Sequence, residues 1–121
     1  RGVAVAQHAH GAGLLATIFS TRTLGLTGEL APQQQPDYLS GLLIGHELAG
    51  LAALLASRGV ALAGEAPRLI GSATLCERYR LALTQFGCLR ASIVEAAAES
   101  GLWRLAVQAG LVGRRAFAPA G

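Results

Sequence analysis

Three groups of residues in this chain are of types that do chemistry. The first lies in the stretch Leu69–Tyr79, which reads LIGSATLCERY. A short apolar run stops at Gly71-Ser72, and a helix-like segment starts at once. The free amides of a first helical turn, and the positive end of its dipole, point at whatever sits on such a turn. In α/β sheets, ligands gather beyond the carboxyl ends of strands. A glycine there lets a nucleotide base or ribose lie against the backbone. The same residues also have a purely structural use. Ser72 or Thr74 can cap the helix with Glu77 reaching back, since Thr74-Leu75-Cys76-Glu77 fits a capping box. Spacing alone favours the cap.

The second group is His46-Glu47, an imidazole beside a carboxylate inside an apolar run. It is either a buried polar network or a pair facing into a site. The third group is His8 and His10. Two positions apart, they would face different ways on a helix and make a poor metal pair. Asp37 is the sole Asp and follows Pro36, which suits an N-cap. Cys76 and Cys88 have neither the number nor the spacing of a zinc site or a disulfide framework. They read as reduced cysteines of a cytoplasmic protein. There is no Ser-His-Asp pattern, no P-loop and no complete catalytic set.

Four helices and two strands would position these residues. Leu14, Leu15, Ile18 and Phe19 recur at helical spacing and predict a helix over 9–22. Gly25 and Gly28 break that pattern, and GELAPQQQPD reads as a polar loop. A helix over 38–57 follows, closed by Gly59. Its roughly 20 apolar residues would be long enough to span a bilayer. Gly41, Gly45, Ala49 and Ala53 line one face every four residues. In lipid such a ridge favours helix dimerisation. His46 and Glu47 sit mid-helix, where ionisable groups are costly in lipid. The expected setting is therefore a buried helix pressed on a sheet, with no membrane.

Strands are expected at 67–71 and 88–94, with helices over 73–86 and 97–110. Trp103, Leu105, Ala106 and Ala109 give the last helix an apolar face, and the tail GRRAFAPAG is expected to fray. Alternating strands and helices predict an α/β fold with parallel pairing. Two strands alone make a poor parallel sheet, because such sheets are buried on both faces. Further strands are expected from sequence outside this stretch or from another chain.

The composition narrows the function. The chain is 52% hydrophobic and 14% charged over 121 residues, which excludes disorder and allows one domain. All ten basic residues are Arg, and they are scattered; only Arg114-Arg115 are adjacent. The aromatics do not interleave with them, so no nucleic-acid face is expected. The chain has no Met, and its first ten residues lack the pattern of a signal peptide. It is expected to be a piece of something longer.

Three segments taken in order carry a family resemblance. They are PDYLSGLLIGHELAGL, then LIGSATLCERYRLALTQFGC, then AAAESGLWRLAVQAGLV. They resemble the C-terminal part of the 2-dehydro-3-deoxygalactonokinases. These are sugar-acid kinases of bacteria, in the actin/hexokinase-like superfamily with a ribonuclease-H-like fold. The resemblance runs from about Leu14 to Val112, and its most specific blocks are 38–47 and 69–79.

It implies ATP-dependent phosphorylation of 2-dehydro-3-deoxy-D-galactonate at its terminal hydroxyl, with magnesium, in galactonate breakdown. In that superfamily a strand ending in Gly and a small residue holds the adenosine. Gly71, Ser72 and Ala73 match that position. The family's two phosphate-binding segments are absent here, so the resemblance implies that this stretch is inactive alone. Catalytic residues are expected in the preceding part of the same polypeptide, and the chain could form homo-oligomers. Glu47 is an outside candidate for lining the substrate cleft. The competing expectation is a non-catalytic α/β module that uses its Gly/Ala ridge to bind a partner protein.

Overall fold

Small residues set the central contact. The computed structural model describes residues 1–9 and 13–112. His10 and the tail GRRAFAPAG lie outside the described residues. A six-residue helix, α1 (Gly2–Gln7), packs on the long helix α3 (Gln35–Ala56). Gly2 and Ala6 are four apart on α1, as Gly41 and Gly45 are on α3. A Cβ on Gly2 would stand 2.2 Å from the Tyr38 carbonyl oxygen, and one on Gly45 would stand 2.7 Å from the Ala6 Cβ. Helix axes approach this closely only where the contact carries no side-chain bulk. The ridge expected to press on a sheet therefore presses on a helix. No hydrophobic period marks α1 in so short a stretch; the matching four-residue spacing is its one sequence signal.

Helix α2 (Leu14–Leu26) starts later and ends later than 9–22. Gly25 stays inside it, and the chain turns at Gly28, which has a left-handed φ of +76°. The loop after α2 is less polar than its composition suggests. Leu30 is buried and donates its amide to the Leu24 carbonyl, and Pro32–Gln34 form a 3₁₀ turn.

That turn runs straight into α3, so the helix begins before Pro36 rather than after it. Proline is tolerated in a first turn, where its missing N–H would be unpaired anyway. Asp37 consequently lies inside the first turn and is not the cap. Its carboxylate still complements the helix dipole there.

Helices α3, α4 (Ala73–Gln85) and α5 (Ala97–Gln108) end alike. Gly59, Gly87 and Gly110 take left-handed backbone, and the next amide bonds back five residues. Val60 bonds to Leu55, Cys88 to Leu83 and Leu111 to Ala106. This closure needs a residue free of Cβ strain.

The strands are shorter than expected. β1 (Arg68–Leu69) and β2 (Ser92–Ile93) pair in parallel, Arg68 with Ser92 and Leu69 with Ile93. Cys88, placed in the second strand by sequence, belongs instead to the closure of α4 and is fully buried there. Among the described residues each strand has one partner, so no outer ladder extends the pairing. The fold is thus α/β, mostly helical, with a small parallel sheet.

One core cluster joins Val3 of α1, Ile44 and Leu48 of α3, Leu62, and Ala82 and Leu83 of α4. A second joins Ala6, Leu30, Tyr38 and Leu42. By length and composition the span Pro32–Ala56 is long and apolar enough to cross a membrane. Here Leu42, Ile44 and Leu48 of that span serve both core clusters. Helix α5 buries no side chain: Trp103 and Ala106 are half-buried, while Leu105 and Ala109 are exposed.

Candidate functional site

The turn between β1 and α4 is open. Gly71, Ser72, Ala73 and Thr74 are all exposed. A Cβ built on Gly71 would meet one neighbour, the Cys76 sulfur, at an ordinary 3.6 Å. Ser72 is the N-cap of α4, and its hydroxyl accepts from the Leu75 amide at 3.4 Å. Capping thus falls to Ser72 rather than Thr74. Glu77 does not reach back. Arg80, one turn on, donates two hydrogen bonds to it and holds its carboxyl below the usual range. The buried Cys76 supports the turn from α4.

His46 and Glu47 part company. His46 is half-buried, and its Nε2 lies 2.7 Å from the Thr17 hydroxyl of α2. Thr17 donates to the Leu14 carbonyl, so its lone pair accepts from the imidazole. A similar link, 2.8 Å long, joins Tyr38 of α3 to Ser20 of α2. These bonds tie α2 to α3 and satisfy the buried Thr17.

Glu47 is exposed and accepts from the Tyr79 hydroxyl of α4. This partner sits 32 residues away, and nothing local in the sequence signals it. Glu47, the outside candidate for lining the substrate cleft, thus links α3 to α4. His8 is exposed, and its Nδ1 lies 2.7 Å from the Ala4 carbonyl.

The Glu47 contact pushes the Tyr79 phenol up from 10.0 to about 12, with partial burial and the Glu47 charge adding to the hydrogen bond. Between those values the folded chain keeps a proton that the unfolded chain has lost. The stabilisation is complete below pH 10 and is lost as pH rises through 12. Tyr79→Phe should remove this alkaline loss. Denaturation midpoints of parent and variant should converge as pH climbs from 10 to 12. Midpoints that stay parallel across the window would show that the bond carries no such linkage.

A second concavity of about 550 Å³ lies between α1, α3 and α4. Arg78, Asp37, Ser40, Gly41 and Gln85 help to line it. Arg78 is already committed there. It donates to Asp37 at 2.6 Å and to Ser40 at 3.0 Å. This pairing, missed from the sequence, is what Asp37 does in place of capping.

The Gly71 turn offers open backbone and a helix N-terminus, whereas Arg78, Asp37 and Ser40 of the cleft are paired with one another. Magnesium is less well served. Among the described residues no three His, Cys, Asp or Glu side chains converge. Asp37, Glu47 and Glu77 are each taken by a neighbour.

Comparison with known proteins supplies the family. No curated protein and no solved structure gave a match. The pattern of the 2-keto-3-deoxy-galactonokinase family matches residues 1–105 of the 121. The match spans α1 to α4, both strands and most of α5, so the chain belongs to the 2-keto-3-deoxy-galactonokinase family of sugar-acid kinases.

Proposed function

We propose that the chain is the nucleotide side of an ATP-dependent kinase for 2-dehydro-3-deoxy-D-galactonate. The observation that carries this reading is the open strand–Gly71–Ser72–helix turn in a chain of that kinase family. Gly71, Ser72 and Ala73 would hold the nucleoside. Gly71 admits it to the backbone, and the first amides of α4 face the same space. ATP, when bound, supplies the phosphoryl group. The residues here position one end of it and take no part in proton transfer.

Transfer itself rests on positioning and on neutralising phosphate charge. Among the described residues no carboxylate cluster is arranged for magnesium, and on this reading the metal and the catalytic residues would belong to a preceding part of the polypeptide. That part would also complete the sheet into a ribonuclease-H-like fold. Ile70 after β1, Leu75 on α4 and Leu89 before β2 stand 66%, 48% and 75% exposed and would be covered by it. A parallel sheet needs both faces covered. Residues 1–121 alone would be inactive, and the enzyme would work in the cytoplasm during galactonate breakdown.

The same exposed apolar side chains favour, as a second reading, a non-catalytic interaction module. The test is ADP formation by the full-length polypeptide with ATP, in the presence and absence of the sugar acid. A kinase forms ADP in step with the sugar acid; an interaction module forms none.

A further inference from the structure

We propose that α2 is the contact surface of a homodimer, in which two copies of the chain lay this helix antiparallel across a two-fold axis. Helix α2 is set into the fold with its polar side inward. Thr17 is buried, and Thr17 and Ser20 bond to His46 and Tyr38 of α3. The opposite side carries Leu15, Phe19 and Leu26, which stand 75%, 66% and 79% exposed. With Arg22 they form one row along the helix, on the side away from α3. A helix that buries hydroxyls and turns its leucines to solvent lacks the cover that its apolar side requires.

The row points to its own partner. Leu15, Phe19, Arg22 and Leu26 follow one another at intervals of four, three and four residues, the spacing of a heptad seam. Those intervals read the same from either end of the helix. A two-fold axis over the midpoint, between Ser20 and Thr21, sets Leu15 against Leu26 of the partner subunit and Phe19 against Arg22 of the partner subunit. Each contact then occurs twice, as in any isologous interface.

The charges agree with this pairing and oppose the others. Arg22 is the one charged residue of α2, is exposed, and has no hydrogen bond or ion pair among the described residues. Over the partner's Phe19 ring its guanidinium gains a cation–π contact. A parallel pairing would bring the two Arg22 charges together instead. The 13 residues of α2 span only about 20 Å, too little for a bilayer. The part of the polypeptide that would complete the sheet is needed elsewhere. Helix α3 bonds to α4 through Asp37, Ser40 and Glu47, and to α2 through Tyr38 and His46 on its other side. So α2 lies on the flank of α3 away from α4.

The test uses the full-length polypeptide, its mass in solution measured by light scattering at micromolar concentration. The parent should have twice the mass of one chain. The double variant Leu15→Asp, Leu26→Asp sets carboxylates opposite each other across the axis. It should weaken the dimer on the order of tenfold for each of the four leucines lost, and so run as a monomer. Cysteine variants read the register without added charge. Leu15→Cys and Leu26→Cys, carried by separate copies prepared together, should be joined by a short bismaleimide that leaves the parent unlinked. Copies that all carry Leu15→Cys should not be joined, because the two positions lie about 16 Å apart along the helices. Cys76 and Cys88 are buried and do not compete. If the double Asp variant fails to fold, the cross-linking decides alone. A monomeric parent overturns the proposal, and precipitation of its Asp variant would then assign α2 to the preceding part of the polypeptide. A dimer that survives the double Asp variant also overturns it, as does ready linking of Leu15→Cys to itself.

Discussion

Gly71→Val is expected to raise the KM of the full-length kinase for ATP by about tenfold or more, with little change in the KM for the sugar acid. A tenfold change corresponds to about 1.4 kcal/mol of lost binding. Displacing a base or ribose from the backbone surface by two methyl groups costs at least that by loss of contact area. Gly71 has φ +158°, a backbone conformation that residues with a Cβ rarely adopt, so any side chain there adds strain even where space is open. The protein presents one atom to a Cβ at this position, the Cys76 sulfur, at ordinary contact distance. What a larger side chain would fill is the space in front of the turn. Gly71→Ala should therefore show a smaller effect in the same direction. A kcat unchanged beside a raised KM would mark the loss as one of uniform binding. ATP kinetics equal to the parent's, in a variant that is still folded at the assay temperature, would remove the nucleoside from this turn.

The second large effect is on stability. Gly45→Leu should destabilise the protein by about 2–3 kcal/mol, the usual scale for overpacking a tight contact. A Cβ at Gly45 would meet the Ala6 Cβ at 2.7 Å and the Val3 Cα at 3.0 Å. Two of the three closest atoms belong to the backbone of α1, so no side-chain rotation relieves the clash. Helix α1 must move, and the burial of Val3 and Ala6 goes with it. Helix propensity works the other way, by up to about 1 kcal/mol, and is too small to decide the sign.

Gly50 provides the matched control on the same helix. Nothing lies within 4 Å of a Cβ built there, so Gly50→Ala should stabilise by up to about 1 kcal/mol. Denaturant midpoints of the two variants should move in opposite directions. Equal midpoints for Gly45→Leu and the parent would mean that α1 does not pack on this ridge.

These two glycines show what the sequence makes legible. The order of elements from residue 38 onward can be read directly, because Gly59, Gly87 and Gly110 punctuate it and the helical period is strong between them. The parallel pairing follows from strands alternating with helices. Helix α1 and the start of α3 are hidden for local reasons. Six residues hold less than two turns, and Pro36 marks a boundary that a first helical turn is free to ignore.

Partners distant in sequence are hidden for a different reason. Asp37 and Arg78 are 41 positions apart, Glu47 and Tyr79 are 32 apart, and His46 and Thr17 are 29 apart. No periodicity encodes such pairs. They depend on where α2 and α4 settle against α3, which the core decides. The strand lengths were overestimated because β-branched composition reports a preference for extended backbone, while pairing requires a neighbour. Among the described residues Arg68-Leu69 and Ser92-Ile93 have only each other.

The most direct test of the account is the full-length polypeptide's release of ADP from ATP, followed with and without 2-dehydro-3-deoxy-D-galactonate. A kinase with its nucleotide side in this chain should release one ADP for each sugar acid phosphorylated at the terminal hydroxyl, and almost none without the sugar acid. A polypeptide that binds neither ATP nor the sugar acid, and releases no ADP with both present, would contradict it.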